Sequence, residues 1–520
     1  MNTISYRLLI GFAAIMMMVC MPSCNFLDLH DPDALDENKF YRDSADVEGL
    51  LASAYAALRP AYNNLFFVTE MKSDNTSTTD AGSSGGLYYT FVSHMVSSNN
   101  TIVAEIYNAF YFCIHRCNVV LEHVDDVPMS DTERERLRGE AYFLRALSHF
   151  YLTRLWGAVT IMDHTLSNSA AALDLKRRAP ADVYAFIIND LKRIADTDVL
   201  QKKCIGDEFG HASKTAAAAL LGKVYLQYAA TISPSPTTDY NNAIAYLEQA
   251  VTDGQYSKLS TKYADLFSVD KKAYDEVIFP IMYKANANEK SNFATNFQPM
   301  GTTGLTSSAK GRGWNQGQWN LYDEIEFSGN GFAVDDAERF KVVKIGIDSM
   351  GNKIVYTTKY LDLNKAGYGG NLWYELRFAD VFLMLAEAYE RVGNTSQAIA
   401  NLNKVRQRSG FKLKTYEVSQ TNAAYVAAYP TLRDAIFHER RMELCFENQR
   451  WFDLQRLYPH QSDLETYMHS VAAKETTGAT KYTATSETGK YTSFLGYEAL
   501  LPIPYDEVFL NPGLGQNLGY

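Results

Sequence analysis

The sequence predicts a mainly α protein, a tetratricopeptide-like helical-repeat scaffold carrying long irregular loops. Three observations predict it. Apolar residues recur at three- and four-residue steps over much of the chain, as on one face of a helix. Two segments, 213–251 and 378–408, repeat the small and large positions of a helix pair. Two stretches rich in Gly, Ser, Thr and Asn, 74–100 and 284–330, break the helical pattern.

In chain order, the first 23 residues read as an export signal. Arg7 supplies positive charge, Leu8 to Val19 is apolar, and the small residue Ser23 precedes Cys24. The run is short for a spanning helix, which needs roughly 20 residues. A plain secretory signal would leave Cys24 as an odd thiol, whereas a lipoprotein signal would acylate it as the first mature residue. Lipidation of Cys24 is the expectation, and Cys20 is the poorer candidate because Val19 is too large at the cleavage position. Acyl chains bury roughly 0.8 kcal/mol per methylene and would hold a soluble body at a membrane.

Residues 25–43 are acidic and irregular, and helical patterns follow over 44–59, 102–124, 132–156 and 181–195. Pro180-Ala181-Asp182 is a start signal for the last of these. In the first repeat Ala218, Leu221, Gly222 and Tyr225 are answered by Ala243, Leu247 and Ala250. In the second, Ala386 and Tyr389 are answered by Ala398, Leu402 and Val405, with Gly393-Asn394 at the turn. Small residues at these places let antiparallel helices approach closely. Extra residues, 233–238, lengthen the turn of the first pair. A helix is expected over 439–456, where Glu439, Glu443, Arg450 and Asp453 share a face and Arg440 pairs with Glu443. Residues 472–494, dominated by Thr, Lys and Glu, are expected to form a solvated surface loop.

At 520 residues, 47% hydrophobic and 21% charged, the composition is globular and excludes wholesale disorder. The net charge of -11 argues against nucleic acid or anionic lipid as the main partner. Cys113, Cys117, Cys204 and Cys445 have no further ligands at metal-site spacing and are expected to pack as small hydrophobes. There is no Gly-rich phosphate loop, HExxH, nucleophile elbow or EF-hand, so neither metal nor cofactor is implied.

Several motifs, in order, resemble the SusD/RagB family of outer-membrane nutrient-binding lipoproteins. They are Cys24-Asn25-Phe26-Leu27-Asp28, then Gly139-Glu140-Ala141-Tyr142-Phe143-Leu144-Arg145-Ala146 with Trp156-Gly157. Arg377-Phe378-Ala379-Asp380 and Glu439-Arg440-Arg441-Met442-Glu443-Leu444 follow, and Pro502-Ile503-Pro504 with Asn511-Pro512 to Gln516-Asn517 closes the match. Leu518 departs from the family's usual Pro. The resemblance divides the chain into a lipoprotein signal (1–23), an N-terminal SusD-like region (24–270) and a C-terminal RagB/SusD region (271–520), the last two packed as one unit. It implies a surface protein that captures oligosaccharide and passes it to a SusC-like TonB-dependent transporter.

Trp156, Trp373 and Trp451 fall in family-type helices and are expected to pack, which leaves Trp314 and Trp319. With Asn315 and Gln316 between them they suit a sugar site: pyranose faces stack on indoles and amides pair with hydroxyls. The alternative is that these Trp plug the loop onto the helical body. By position in the family's order, Asp74, Asn75, Tyr88 and Tyr89 form a second ligand-binding group. The carboxylates of 439–456 are expected to form a structural network with Arg145 and Arg377 rather than an acid–base pair, and no enzymatic activity is expected. A peptide-binding RagB-type receptor, a secreted glycoside hydrolase and a protein-binding adaptor are the alternatives.

Overall fold

The computed structural model describes residues 41–520, apart from 79–85, 167, 169, 257, 261, 272, 274, 303–309, 328–341, 364–368, 409–412 and 486–487. The export signal and Cys24 lie outside the described residues.

The fold is mainly α, a succession of antiparallel helix pairs. Helix α1 (Ser44–Val68) packs on α2 (Thr101–His123), and α3 (Asp131–Trp156) packs on both α2 and α4 (Pro180–Ala195). Each start is chemically marked. Asp43, Asn100 and Ser130 accept from first-turn amides of α1, α2 and α3, and Pro180 occupies the first turn of α4. Helix α1 runs nine residues beyond the expected end at Arg59, straight through Pro60. An interior Pro costs about 3 kcal/mol. Burial of Ala61, Tyr62, Leu65, Phe66 and Phe67 outweighs it, a gain invisible to a local breaker rule.

The two repeats are α5 (Lys214–Thr231) with α6 (Pro236–Asp253), and a later pair joined to them. The connection in the first pair is shorter than expected, because Pro236 opens α6 and places 236–238 in its first turn. Gly222 has the role its spacing suggested. A Cβ there would lie 2.5 Å from Leu247 Cγ, so only glycine admits this contact. Ala218, Leu221, Ala243, Leu247 and Ala250 are buried along the seam.

Strands are few. β2 (Val277–Ile281) pairs antiparallel with β6 (Trp373–Arg377). A four-stranded sheet of order β1-β3-β5-β4 joins β1 (Thr76–Ser77), β3 (Gln316–Gly317), β4 (Val343–Ile347) and β5 (Lys353–Thr357). β1 and β3 belong to the two segments that break the helical pattern, and the second of those also begins helix α7 (Trp319–Phe327).

β6 runs directly into α8 (Phe378–Arg391), which pairs with α9 (Thr395–Arg406) and packs on α6. Gly393 at their turn has φ +80°, and Asn394 caps α9. The expected 439–456 helix is two helices, α10 (Leu432–Leu444) and α11 (Arg450–Leu457). Between them Phe446 and Asn448 have positive φ. Nothing local demands the break, since 445–449 holds neither Gly nor Pro. Two distant groups impose it. Lys359 donates to the carbonyls of Glu443 and Cys445 at the end of α10, and Glu70 accepts from the Asn448 amide at 2.7 Å.

Buried ions knit this region. Arg377, Arg408 and Lys359 interleave with Glu276, Glu443 and Glu447, at 2.5–3.1 Å. A second set joins Lys223, Arg440 and Arg456 to Asp380, Asp453 and Glu387. A structural network therefore exists, with two corrections. Arg145 is not part of it, pairing instead with Asp190 at 2.8 Å, and Arg440 and Glu443 turn to different partners rather than to each other.

The expected surface loop at 472–494 is also corrected. Helix α12 (Gln461–Lys481) covers its first part, and Glu475, Lys490, Tyr491 and Phe494 are buried. Cys113, Cys117, Cys204 and Cys445 are buried and form no disulfide among the described residues, and Trp156, Trp373 and Trp451 are core residues. The C-terminal segment is a strap. Trp156 Nε1 donates to Pro502 O, Asn517 Nδ2 donates to the carbonyls of Trp156 and Leu501, and Gln516 exchanges two bonds with Ile503.

Candidate ligand-binding site

The small sheet brings the two interrupting segments together. Thr76 pairs with Gly317 and Ser77 with Gln316, Gln318 N donates to Asn75 O at 2.8 Å, and Thr78 Oγ1 donates to Gly313 O. The backbone before β3 lies flat on 296–302, because Arg312, Gly313 and Trp314 donate to the carbonyls of Thr295, Gln298 and Asn296. Gly313 has φ +67°, the left-handed turn that presents the following residue outward.

That residue is Trp314. Its ring meets Tyr88 at 4.1 Å between centroids and 36° between planes. Tyr88 in turn stacks on buried Phe67 at 5.2 Å and 12°, so the pair rests on the core. The Arg312 guanidinium sits 4.5 Å from the Trp314 ring centre and reaches Asn296. Trp314 and Tyr88 are both half-buried, leaving part of each ring open to solvent. Tyr89 opens the short turn after Tyr88 and is half-buried against the core.

Two residues beyond Trp314, Gln316 lines a cavity of about 780 Å³. Gln318, Asn352, Lys353, Glu475 and Thr480 contribute most of its polar wall. Trp319 lines it as well, but is only 5% exposed and stacks on Tyr482 at 5.2 Å. The Glu475 carboxylate receives the amides of Trp319 and Asn320 at 3.1 and 2.9 Å, capping α7 from α12. The amides, hydroxyls and ammonium of this cavity can hydrogen-bond a polyhydroxylated ligand, and the Tyr88–Trp314 rings, which do not line it, offer faces for stacking.

Three expected ligand residues are turned inward. Asp74 is buried between Arg450 (2.8 Å), Arg441 and Tyr467, and these partners hold its carboxyl well below the usual range. Asn75 is buried with its amide between Arg441 Nε and Glu70. Asn315 is fully buried, and neither of its amide atoms has a partner among the described residues. The polar pattern that suggested them is real, but their charge and amide groups serve the interior. A second cavity, of about 700 Å³, is lined by Glu324, His438, Arg441 and Arg450, which already pair with one another or with Asp74.

Asn352 and Lys353 fall in a stretch where no element is expected from the sequence, and Glu475 and Thr480 in the stretch expected to be a surface loop. The signal for the first two was present: Val343–Ile347 and Lys353–Thr357 flank a polar turn containing Gly351, the pattern of a hairpin.

A family model of the SusD family matches residues 347–520, and one described as starch-binding associating with outer membrane matches residues 25–226. The chain belongs to the SusD/RagB family. SusD-like protein P2 of Formosa agariphila is 23% identical over 475 residues, covering 85% of this chain and 89% of that protein. The starch-binding protein SusD of Bacteroides thetaiotaomicron is 30% identical over 180 residues, 34% of this chain and 30% of SusD. A laminarin binding SusD-like protein of known structure shares the fold with a TM-score of 0.69 at 22% identity, covering 92% of this chain and all of that one. In this SusD-family chain the Tyr88–Trp314 pair comes from the two segments that depart most from the helical scaffold.

Proposed function

We propose that the chain is a glycan-binding protein of the cell surface, capturing oligosaccharide on the Tyr88–Trp314 pair and the amide-rich cavity beside it. The observation that carries this reading is the juxtaposition of those two rings, from segments more than 200 residues apart, with a polar cavity two residues away. The laminarin-binding and starch-binding relatives support a carbohydrate over other ligands. Cys24 is the acylated anchor in this proposal, and the family match that begins at residue 25 supports it. The protein sits at the outer membrane, delivers its ligand to a SusC-like TonB-dependent transporter, and performs no chemistry on it.

The test is calorimetric titration of the chain from residue 25 onward with a panel of glycans and, in parallel, of peptides. Stacking on one ring contributes about 1 kcal/mol, so Trp314→Ala and Tyr88→Ala each weaken glycan binding by about fivefold or more while the fold survives. Binding to peptides alone, or glycan binding indifferent to both substitutions, would overturn the proposal.

A further inference from the structure

Away from the aromatic pair, a cavity of about 250 Å³ opens between α3, α4, α5 and α11. Arg154, Tyr184, Gln227, Thr231, Gln455 and Gln461 belong to its polar lining, and among the described residues no carboxylate lines it. Arg154 is 4% exposed. Its guanidinium lies between the rings of Phe150 and Phe452, 3.8 and 3.7 Å from their centres, with Tyr151 at 4.5 Å. Among the described residues its guanidinium makes one hydrogen bond, a long one from Nε to Phe150 O at 3.4 Å, and Nη2 is buried with no partner.

Among the buried arginines of the described residues this is unusual. The other arginines of this region are matched to carboxylates: Arg377, Arg440, Arg450 and Arg456 all are. A buried cation is costly unless paired, and aromatic faces offset only part of that cost. Gln227 turns its oxygen to Arg456 at 3.2 Å, which leaves its amide nitrogen as a further donor at the cavity. The site therefore combines a fixed positive charge with the amide donor of Gln227 and no neighbouring carboxylate in its described lining.

We infer that this cavity binds an oxyanion, a carboxylate or sulfate group on a ligand no larger than a monosaccharide. The guanidinium would meet the anion by charge-assisted hydrogen bonds, in the way Arg recognises carboxylate elsewhere. Its acquisition is independent of the Tyr88–Trp314 pair, which shares no lining residue with it.

The probes are sodium glucuronate, acetate and sulfate, titrated against the chain from residue 25 onward at ionic strength matched with sodium chloride, with glucose as the uncharged control. Binding of at least one oxyanion, and not of glucose, is expected. Arg154→Met keeps an apolar side chain between the rings and abolishes that binding. Gln461→Glu places a negative charge at the mouth, on the exposed first residue of α12 where an acid is well tolerated, and weakens binding about threefold or more. Trp314→Ala leaves it unchanged, which separates this site from the proposed glycan site. No binding of any of the three oxyanions, or binding that Gln461→Glu leaves untouched, overturns the inference.

Discussion

Trp314 and Trp319 stand five residues apart and each is followed by Asn, yet they have different work. Trp314 follows a left-handed glycine and faces Tyr88, whereas Trp319 begins α7 and is sealed by Tyr482 and α12. Trp319→Ala should therefore appear first as lost stability, about 3–5 kcal/mol for a buried Trp, and not as a selective loss of glycan affinity. Glu70 presents a second residue-scale consequence. Burial raises its pKa from 4.5 to about 7, although it accepts from Asn448 N and Asn75 Nδ2. The folded chain holds this proton more tightly than the unfolded chain. The stability so contributed is complete below about pH 4.5 and is lost as pH rises through about 7. Glu70→Gln should flatten that decline, gaining on the order of 3 kcal/mol relative to wild type at about pH 8. Denaturation midpoints followed between pH 5 and pH 8, if they fall equally steeply in both proteins, would contradict the assignment.

At the scale of elements, the decisive feature is the break between α10 and α11. A continuous helix would carry 445–449 past Lys359 and Glu70; instead the chain turns through two left-handed residues so that both groups find backbone partners. The cost of those conformations, about 1–3 kcal/mol each, is offset by the ion clusters that the break assembles. Arg377 is central, touching Glu276, Glu443 and Glu447 at once. Arg377→Met strands buried carboxylates and should destabilise by about 3–5 kcal/mol, read as a drop in the urea midpoint. A double substitution, Arg377→Met with Glu447→Leu, should recover part of the loss, because removing a buried pair together is far milder than removing one partner.

On the scale of the whole molecule, one apolar core cluster runs from Val47 to Ile503, and the C-terminal strap closes it. Asn517 is the pin, joining the strap to α3 through Trp156 O (2.9 Å) and to itself through Leu501 O (2.7 Å). Asn517→Ala leaves both carbonyls short of a donor and should cost about 1–3 kcal/mol. Thermal unfolding and protease cleavage near residue 500 would register it, and an unchanged midpoint would mean that the strap merely lies on the surface.

How much was legible follows from where the information resides. Helix pairs with small residues at their seam, the start signals and the ordered family motifs are contiguous in the chain, and the sequence by itself determined these. Gly222 against Leu247 is the plainest case, because spacing alone implied the close approach. Charge partners and exposure are not contiguous. Asp74 looked like a ligand until Arg450, 376 residues away, occupied its carboxylate, and Glu475 looked solvated until α7 packed on α12 and bonded to it. Only the tertiary structure decided which aromatic faces solvent, where the 439–456 segment breaks and that the buried Arg154 has no carboxylate among the described residues. Burial and charge pairing depend on residues hundreds of positions apart, and local periodicity carries no record of them.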